Sequence, residues 1–299
     1  MKQHDISSRA GFVAVVGRPN AGKSTLINAL VSEKIALVSH KAGATRKRQT
    51  VIVMHENAQI VLVDTPGFDD REKELNRFMK TEIVKALEEC DLTLYIADIS
   101  DETKNYELFL QRTPNMPHIV VLTKMDIFTH EERLKKLNSY SAFANRFLAI
   151  VPISAKKNDF KPLLNEIAAH LPIHEYYFDP DDLTTATIRE VCKEMIREAI
   201  FDNFSDELPY AADVIVDSYK SQKTLDRITA TIVMEKESQK AIVIGKNGAA
   251  IKRVGTAARG KIEAFLQKQI FLQLSVSVLD RWSKDKSQLK KLGYETEAQ

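Results

Sequence analysis

Short apolar runs recur along the first half of the chain at intervals long enough to hold a helix. The runs occupy residues 12–16, 60–63, 92–97, 118–122 and 148–153. Most of the segments between them are polar and compatible with a helix, such as residues 75–89 and 131–145. This alternation predicts an α/β fold, a doubly wound and mostly parallel sheet with helices on both faces.

One interval between apolar runs is too short for a helix. The segment RQTVIVMHENAQIVLVD, residues 48–64, contains two runs separated only by the turn-like residues 55–58. A connection of this length cannot make a crossover between parallel strands, so we expect these two strands to pair antiparallel.

The pattern stops at residues 171–183, LPIHEYYFDPDDL, where prolines, aromatic residues and acids follow neither a helical nor a strand period. Such a segment is typical of a linker. We therefore expect a first domain over residues 1–172, a linker over 173–183 and a second domain over 184–299.

The second domain begins with an amphipathic helical pattern over residues 184–204. Two strand-like runs follow at 212–216 and 228–234, then a helical region interrupted by Gly-Lys-Asn-Gly at 245–248, and a last strand at 270–278. Trp282, the only tryptophan, is either a docking aromatic or a cap on the core.

Composition narrows the class of protein. The chain has 299 residues, 44% hydrophobic and 28% charged, which is ordinary for a soluble globular protein. Its two cysteines, Cys90 and Cys192, have no metal-like spacing, and we expect free thiols in a reducing compartment. The first 17 residues lack a signal-peptide pattern and no run approaches 18 apolar residues, so we expect a cytoplasmic protein.

A glycine-rich loop follows the first apolar run directly. Residues 17–25 are GRPNAGKST, and an apolar helix start follows. A strand, a glycine turn and a helix start aim several backbone N–H groups at one point, which suits a polyphosphate. Lys23 would reach the β and γ phosphates, and the Ser24 hydroxyl would ligate Mg²⁺. The alternative is an ordinary glycine-rich turn.

Three later apolar runs end in polar motifs, where an α/β sheet binds its ligands. The motifs are DTPG at 64–67, TKMD at 123–126 and SAK at 154–156. With GxxxxGKST, in this order and at these spacings, they resemble the translation-factor-like GTPases. The resemblance implies that Asp126 and the backbone of Ala155 recognise guanine, so that GTP is favoured over ATP. Taken alone, Asp126 would more simply be a helix N-cap.

The resemblance also supplies a set of nucleotide-binding residues. Thr123 departs from the family, which usually has Asn there. The set is Gly17, Arg18, Pro19, Asn20, Ala21, Gly22, Lys23, Ser24, Thr25, Asp64, Thr65, Pro66, Gly67, Phe68, Thr123, Lys124, Met125, Asp126, Ser154, Ala155 and Lys156.

Residues 39–50, SHKAGATRKRQT, have no periodicity and predict a switch loop. Their Ser-x-Lys-x-x-x-Thr-Arg pattern is similar to that of Era GTPases, which makes Thr45 the candidate ligand of Mg²⁺ and γ-phosphate, with Thr50 as the alternative. The implied metal ligands are thus Ser24, Thr45 and Asp64.

Phe68 stands where a Ras-like enzyme has its water-positioning glutamine, so unaided hydrolysis should be slow. Asn20 matches an asparagine that holds K⁺ in related GTPases lacking this glutamine, and our hypothesis is that K⁺ accelerates turnover. The alternative is that Asn20 only shapes the turn. The candidate catalytic residues are Lys23, Thr45, Gly67 and Asn20.

Charge is divided unevenly in the second half. Residues 174–239 hold 7 Lys and Arg against 15 Asp and Glu, a net charge of −8, whereas residues 240–291 hold 12 against 3, a net charge of +9. Such a charge run does not exclude a merely solvated surface. Cations beside a Gly-x-x-Gly loop are, however, what contact with single-stranded RNA needs.

The segment VIGKNGAAIKRVGTAARGKIE, residues 243–263, resembles the core of a KH domain, and the order of elements fits the type II form, a smaller α+β domain. A plain helix-loop-helix is the alternative if Gly-x-x-Gly stands alone. The resemblance implies RNA contacts from Ile244, Gly245, Lys246, Asn247, Gly248, Lys252, Arg253 and Arg259.

A GTPase domain followed by a KH domain is the architecture of Era GTPases, and the resemblance covers nearly the whole chain. It implies a monomeric, GTP-hydrolysing switch that uses Mg²⁺, binds the end of small-subunit ribosomal RNA and assists assembly of the small ribosomal subunit. It further implies weak peripheral association with the inner face of the cell membrane.

Two rival functions are a GTPase of tRNA modification and an RNA-binding protein with a purely structural nucleotide site. The first should carry a C-terminal reactive cysteine and a folate-type domain, and neither is visible in the sequence. The purely structural nucleotide site is disfavoured because the chain keeps Lys23, Ser24, Asp64 and Gly67.

Overall fold

The computed structural model describes residues 8–31, 45–67, 74–154 and 159–294, which fall into two compact units. The described residues of the first unit are 8–31, 48–67, 82–154 and 159–185, and those of the second are 45–47, 74–81 and 186–294. Two short segments from the first half of the chain therefore belong to the second unit. The domain limits expected from the sequence, which assign those segments differently, stay a prediction.

The first unit is built on a six-stranded sheet with the strand order β2-β3-β1-β4-β5-β6. All neighbours are parallel except β2 and β3, which form an antiparallel hairpin in which His55 faces Ala58. The expected parallel sheet with one antiparallel pair is confirmed. The elements up to residue 170 are β1 (Arg9–Gly17), α1 (Lys23–Val31), β2 (Gln49–His55), β3 (Ala58–Asp64), α2 (Glu74–Glu89), β4 (Leu92–Asp98), α3 (Thr103–Arg112), β5 (His118–Thr123), α4 (His130–Ser139), β6 (Ala149–Pro152) and α5 (Lys161–His170).

Both faces of this sheet are covered. Ala14 and Val16 of β1 belong to a core cluster with side chains of α2 and α3. Val13 and Val15 point to the opposite face because side chains alternate along a strand, and they are buried as well. Helices α1 and α5 contact β2 and β3. This double cover explains why the strands are apolar runs rather than alternating patterns.

Helix α4 is shorter than the helical pattern over 131–145 predicts. It ends at Ser139 and is followed by a single 3-10 turn, Ser141–Phe143. The hydroxyls of Ser139 and Ser141 donate to the carbonyls of Lys136 and Asn138 at 2.6 and 2.7 Å. Such local bonds compete with continuation of a helix.

The second unit carries a three-stranded sheet, β7-β8-β9, in which β7 is antiparallel and β9 parallel to β8. The order helix, strand, strand, helix, glycine loop, helix, strand is the one predicted. Helix α6 starts at a capping box made by Thr187 and Glu190. The elements are α6 (Ile188–Asn203), β7 (Asp213–Lys220), β8 (Asp226–Met234), α7 (Glu237–Ile244), α8 (Ala249–Leu266), β9 (Ile270–Val278) and α9 (Lys286–Lys291).

A separate apolar cluster of the second unit surrounds Trp282, which is fully buried and donates its indole N–H to the Ala211 carbonyl at 3.1 Å. Trp282 is therefore a core residue rather than an exposed docking aromatic. We call this group the C-terminal cluster. Its members are Leu75, Phe78, Met79, Val233, Trp282, Leu289, Leu292 and Tyr294.

Residues 171–185 contain no helix or regular strand and belong to the first unit, and the linker over 173–183 stays a prediction. The Gln59 side chain accepts from the backbone N–H groups of Tyr177 and Phe178 at 2.8 and 3.0 Å. The ring of Tyr177 packs 5.0 Å from that of Phe12. These aromatic residues attach the segment to the six-stranded sheet.

The two cysteines and the apolar character of the helices both bear on the compartment expected from the sequence. Cys90 and Cys192 are free, and burial raises the pKa of each thiol to about 12, so both are protonated and inert near neutral pH. Among the helices that the structure describes, none combines the length and apolar character needed to cross a bilayer.

Candidate functional site

The glycine-rich loop connects β1 to α1, as the sequence predicts. A Cβ on Gly17 would lie 2.3 Å from the Ile96 carbonyl oxygen, so only glycine fits beside β4. Gly22 has φ +98° and Asn20 has φ 64°, a left-handed conformation that asparagine tolerates better than most residues. The loop therefore curls at the N-terminus of α1, which is an anion-binding geometry.

Lys23 is buried within this loop. Its Nζ donates to the carbonyls of Gly17 and Arg18 at 3.1 and 3.0 Å. Burial lowers the pKa of its ammonium to about 8, although Asp64 and Asp101 oppose the shift. A polyphosphate would supply the negative charge that a buried cation lacks, so the charged lysine is poised for that ligand.

The two predicted metal ligands of the first unit lie side by side. The Ser24 hydroxyl donates to Asp64 Oδ2 at 2.9 Å, and Asp64 is fully buried at the end of β3. A hydroxyl and a carboxylate are hard oxygen donors, and Mg²⁺ is commonly held by one or two carboxylates together with substrate phosphates. These residues therefore fit Mg²⁺.

The residues after Asp64 touch the phosphate loop. The buried Thr65 hydroxyl donates to the Val15 carbonyl at 2.8 Å, which fixes the exit from β3 against β1. A Cβ on Gly67 would lie 2.9 Å from Pro19 of the loop. Glycine at 67 thus lets the chain beyond Pro66 approach the loop closely, where its N–H can meet a γ-phosphate.

Thr123, the departure from the family motif, anchors the phosphate loop. Its hydroxyl is placed 2.7 Å from the Ala21 carbonyl and 3.3 Å from the Ala97 carbonyl. This contact joins the ends of β4 and β5 to the loop. The hydroxyl that replaces the usual amide therefore still serves to position the loop.

The rest of the TKMD motif has divided roles. Lys124 has a left-handed backbone, φ 59°, and its ammonium pairs with Asp98 at the end of β4. Met125 is buried in the core of the first unit. Asp126 Oδ1 accepts from the Ser154 hydroxyl at 2.8 Å, so the motifs that follow β5 and β6 meet.

Five further predicted residues need separate placement. Thr25 is exposed on α1, and Thr45 is half-buried in the second unit. Phe68, Ala155 and Lys156 lie outside the described residues, and so do residues 39–44 of the predicted switch loop.

The Gly-x-x-Gly loop of the second unit lies between α7 and α8. Gly245 has φ +71°, and a Cβ there would lie 2.7 Å from the Ala250 Cβ. Gly248 has φ +76°, yet a Cβ there would meet nothing within 4 Å. Asn247 is left-handed as well, with φ 50°. The loop backbone is thus fixed on one side and open on the other.

The predicted cations of this unit face solvent. Lys246, Lys252, Arg253 and Arg259 are exposed, and none of them forms an ion pair with another described residue. Lys261 differs, since it pairs with Glu198 and Asp202 at 2.8 and 2.5 Å. Ile244 is half-buried, and its neighbour Ile242 is 56% exposed. A cationic surface with exposed apolar side chains suits RNA phosphates and bases.

Sequence reasoning missed two residues of the nucleotide site. Asp98 pairs with Lys124, and Asp101 pairs with Arg18 at 2.7 Å and acts on the pKa of Lys23. Asp98 could have been identified from the sequence, because it stands at the end of an apolar run, as the predicted motifs do. Nothing in the sequence indicated Asp101.

Comparison with known proteins agrees with this geometry. Residues 12–124 match the family described as "50S ribosome-binding GTPase", and residues 207–283 match the KH domain family. A GTPase Era of Campylobacter jejuni is 45% identical over 285 residues, covering 95% of this chain and 98% of the relative. The chain belongs to the Era GTPase family. Era of Helicobacter pylori is 44% identical over 295 residues, covering 97% and 98%.

Solved structures of Era share the whole architecture. A point variant of Aquifex aeolicus Era bound to GDP and AlF4⁻ superposes with a TM-score of 0.91 at 31% identity, covering 96% of this chain and all of that one. Era in complex with MgGDPNP and nucleotides 1506–1542 of 16S ribosomal RNA also gives 0.91, at 32% identity, covering 97% and 100%. The chain is accordingly a GTPase with a C-terminal KH domain. The predicted type of each domain is therefore confirmed.

Proposed function

We propose that this Era-family GTPase is a GTP-driven switch that binds the end of small-subunit ribosomal RNA through its Gly-x-x-Gly loop and assists assembly of the small ribosomal subunit. One observation carries the nucleotide half of the proposal. The phosphate loop is contacted by Thr123 and Gly67, while Ser24 meets Asp64 and Asp126 meets Ser154. Four separate motifs therefore converge at the carboxyl ends of the strands.

The residues have distinct roles in hydrolysis. Lys23 binds the β and γ phosphates, and the Gly67 N–H donates to the γ-phosphate. Ser24, Asp64 and Thr45 would hold Mg²⁺, which would supply positive charge to neutralise the phosphate oxygens. Thr50, the alternative to Thr45, pairs with Val63 inside β2, and a strand residue is poorly suited to move with nucleotide state.

Guanine selectivity is assigned to Asp126, held by Ser154, together with the backbone of Ala155. The carboxylate accepts from N1–H and the 2-amino group of guanine, whereas adenine would leave it unpaired. Lys124 and Met125 place Asp126, one through its left-handed turn and the other by its burial.

Asn20 is proposed to hold K⁺ in place of a catalytic arginine. Its left-handed φ also makes it a turn-shaping residue, so the experiment must separate these roles. Asn20→Gly deletes the amide and keeps the conformation, whereas Asn20→Ala deletes the amide and strains the turn. Loss of K⁺ stimulation in both variants supports a ligand role. If Asn20→Gly retains the K⁺ stimulation, Asn20 only shapes the turn.

RNA binding is assigned to the exposed face of the KH domain. The open Gly248 and the exposed Lys246 and Asn247 meet the sugar-phosphate backbone, with Lys252, Arg253 and Arg259 beside them. Ile244 faces the bases. The protein is proposed to act as a monomer in the cytoplasm, with weak peripheral association with the inner face of the membrane, which vesicle flotation would test.

The test of the whole proposal uses the full chain. We expect phosphate release from GTP but not from ATP, and binding of an RNA matching nucleotides 1506–1542 of 16S ribosomal RNA in preference to a scrambled RNA of the same length. Equal turnover of both nucleotides would reject the nucleotide assignment. Equal affinity for both RNAs would reject the ribosomal one.

A further inference from the structure

Arg46 is a buried cation that the nucleotide and RNA sites leave unused. It follows Thr45, the proposed ligand of Mg²⁺ and γ-phosphate, yet its side chain is only 2% exposed. Thr45, Arg46 and Lys47 belong to the second unit, whereas Arg48 belongs to the first and pairs with Glu82 of α2 at 3.3 Å. The chain thus passes from the second unit to the first between Lys47 and Arg48, shortly after the switch threonine.

The side chain of Arg46 occupies a site built by the KH unit. Its Nη1 and Nη2 donate to the carbonyls of Ala212 and Tyr210, each at 2.8 Å. Its guanidinium lies 5.2 Å from the centroid of the Trp282 ring and 4.0 Å from Asp213 Oδ1. We call Tyr210, Ala212, Asp213 and Trp282 the arginine nest. Two carbonyls, a carboxylate and an aromatic face match the forked, planar guanidinium.

The nest is continuous with the RNA-binding surface. Ala212 and Asp213 lead into β7, which pairs along its length with β8, and β8 pairs with β9. Helix α8, whose N-terminus carries the Gly-x-x-Gly loop, packs on β9 and on α6. Closely packed elements have few discrete arrangements, so a change of packing at the nest is passed on to the elements that carry the loop.

The helix that follows the DTPG motif also packs in the C-terminal cluster, which contains Trp282. Leu75, Phe78 and Met79, in the first turns of the helix that follows the DTPG motif, pack in the C-terminal cluster with Trp282. Lys47 adds a further contact, with its ammonium 5.1 Å from the Tyr294 ring centroid. The C-terminal cluster therefore receives side chains from the chain that follows Thr45 and from the helix that follows the DTPG motif.

We propose that Arg46 is a positioning residue that ties the switch threonine to the RNA-binding unit, so that nucleotide state and RNA affinity are coupled through the arginine nest. This rests on the proposed function. Consecutive Cα atoms are about 3.8 Å apart, so Thr45 cannot move far while Arg46 stays bound. Because leaving the nest would take a donor from the buried Ala212 carbonyl and from the partly buried Tyr210 carbonyl, movement of Thr45 is passed on to β7.

The experiment measures a coupling ratio with the full chain. The ratio is the Kd for the 1506–1542 RNA with GDP bound divided by the Kd with a non-hydrolysable GTP analogue bound. Couplings between sites are typically about 5- to 150-fold, and the same factor must appear in nucleotide affinity with and without RNA. We expect a wild-type ratio that departs from one by at least about fivefold in either direction.

Arg46→Ala should bring the ratio close to one. Arg46→Lys, which keeps the charge but loses the fork, should give an intermediate ratio. The matched control is Arg77→Ala, which removes an arginine that is 75% exposed from the same unit, and it should leave the ratio unchanged. A merely structural role would weaken RNA binding equally in both nucleotide states and would not alter the ratio.

Several outcomes would overturn the inference. A wild-type ratio of one would do so while leaving GTP hydrolysis and RNA binding intact, and so would an Arg46→Ala ratio equal to that of wild type. If circular dichroism shows that Arg46→Ala is unfolded, Trp282→Phe replaces it and should also lower the ratio. Absence of RNA or GTP binding in the wild type would instead reject the proposed function, and this inference with it.

Discussion

The two glycine loops of this protein share a design and differ in what surrounds them. Each precedes the N-terminus of a helix, and each places a lysine beside left-handed backbone. In the phosphate loop, Lys23 is 7% exposed and bonded to loop carbonyls. In the Gly-x-x-Gly loop, Lys246 is exposed, and a Cβ on Gly248 would meet nothing within 4 Å.

This difference explains two kinds of phosphate recognition. A buried lysine without its anion is in an unfavourable environment, so a site of this kind strongly favours one compact, highly charged ligand. Exposed cations gain little from any single phosphate, and their attraction is screened by salt, so they suit a long flexible polyanion. The first loop can support a reaction at a phosphate, whereas the second can only bind the phosphates of a polyanionic chain.

The largest expected effect is on GTP turnover, and it distinguishes the functions of the two loops. Lys23→Ala should lower kcat for GTP by about 100- to 1,000-fold, the usual effect of removing one donor from a developing oxyanion, and should leave RNA affinity with GDP unchanged. Lys246→Ala should weaken RNA binding and leave basal GTP turnover unchanged. Phosphate release and fluorescence anisotropy measure the two activities. Either variant impairing both activities would contradict the division.

Glycine replacements sharpen the comparison within the KH loop. Gly248→Ala should lower the free energy of unfolding by about 1 to 2 kcal/mol, the cost of an L-residue in the left-handed region. Gly245→Ala should cost more, because its Cβ would also lie 2.7 Å from that of Ala250. Urea denaturation of both variants gives the order. A greater loss at Gly248 would mean that the loop is packed rather than open.

The pH dependence of nucleotide binding should reveal the buried lysine. With a pKa of about 8 in the free protein, Lys23 is mostly charged at pH 7 and mostly neutral at pH 9. A polyphosphate binds the charged form, so GTP affinity should be highest below pH 8 and fall about tenfold between pH 7 and 9. Calorimetry in two buffers should show proton uptake on binding at pH 8.5. No uptake would show that Lys23 is already fully charged.

The parts of the molecule that sequence could predict are those governed by local pattern. Apolar runs and their spacing predict the strands of both sheets, and the short insert at residues 55–58 predicts the hairpin. The closing strand begins and ends where the sequence predicts, at Ile270 and Val278. Motif residues of the nucleotide site are likewise identified in order, because each follows a strand end.

Contacts between residues far apart in the chain were beyond reach. The Thr123 bond to Ala21 spans 102 residues, and the Arg46 bond to Ala212 spans 166. Neither leaves a periodic signal, and Arg46 in particular belongs to a basic run that favours an exposed loop. Tertiary packing decides such cases, since a guanidinium is buried only where several partners are assembled around it.

The smallest expected effect concerns salt. Each phosphate contact made by Lys252, Arg253 or Arg259 should add about 0.7 to the slope of log K against log salt for single-stranded RNA. Replacing one of them with Ala should therefore reduce the slope by about 0.7. Between 0.1 and 0.3 M salt, the variant should then lose only about twofold less affinity than the wild type loses. Lys261→Ala is the control, because Lys261 already pairs with Glu198 and Asp202 and should leave the slope unchanged. An unchanged slope in all three variants would place the RNA elsewhere on the unit, whereas a change at Lys261 alone would assign the phosphates to the α6 side of α8.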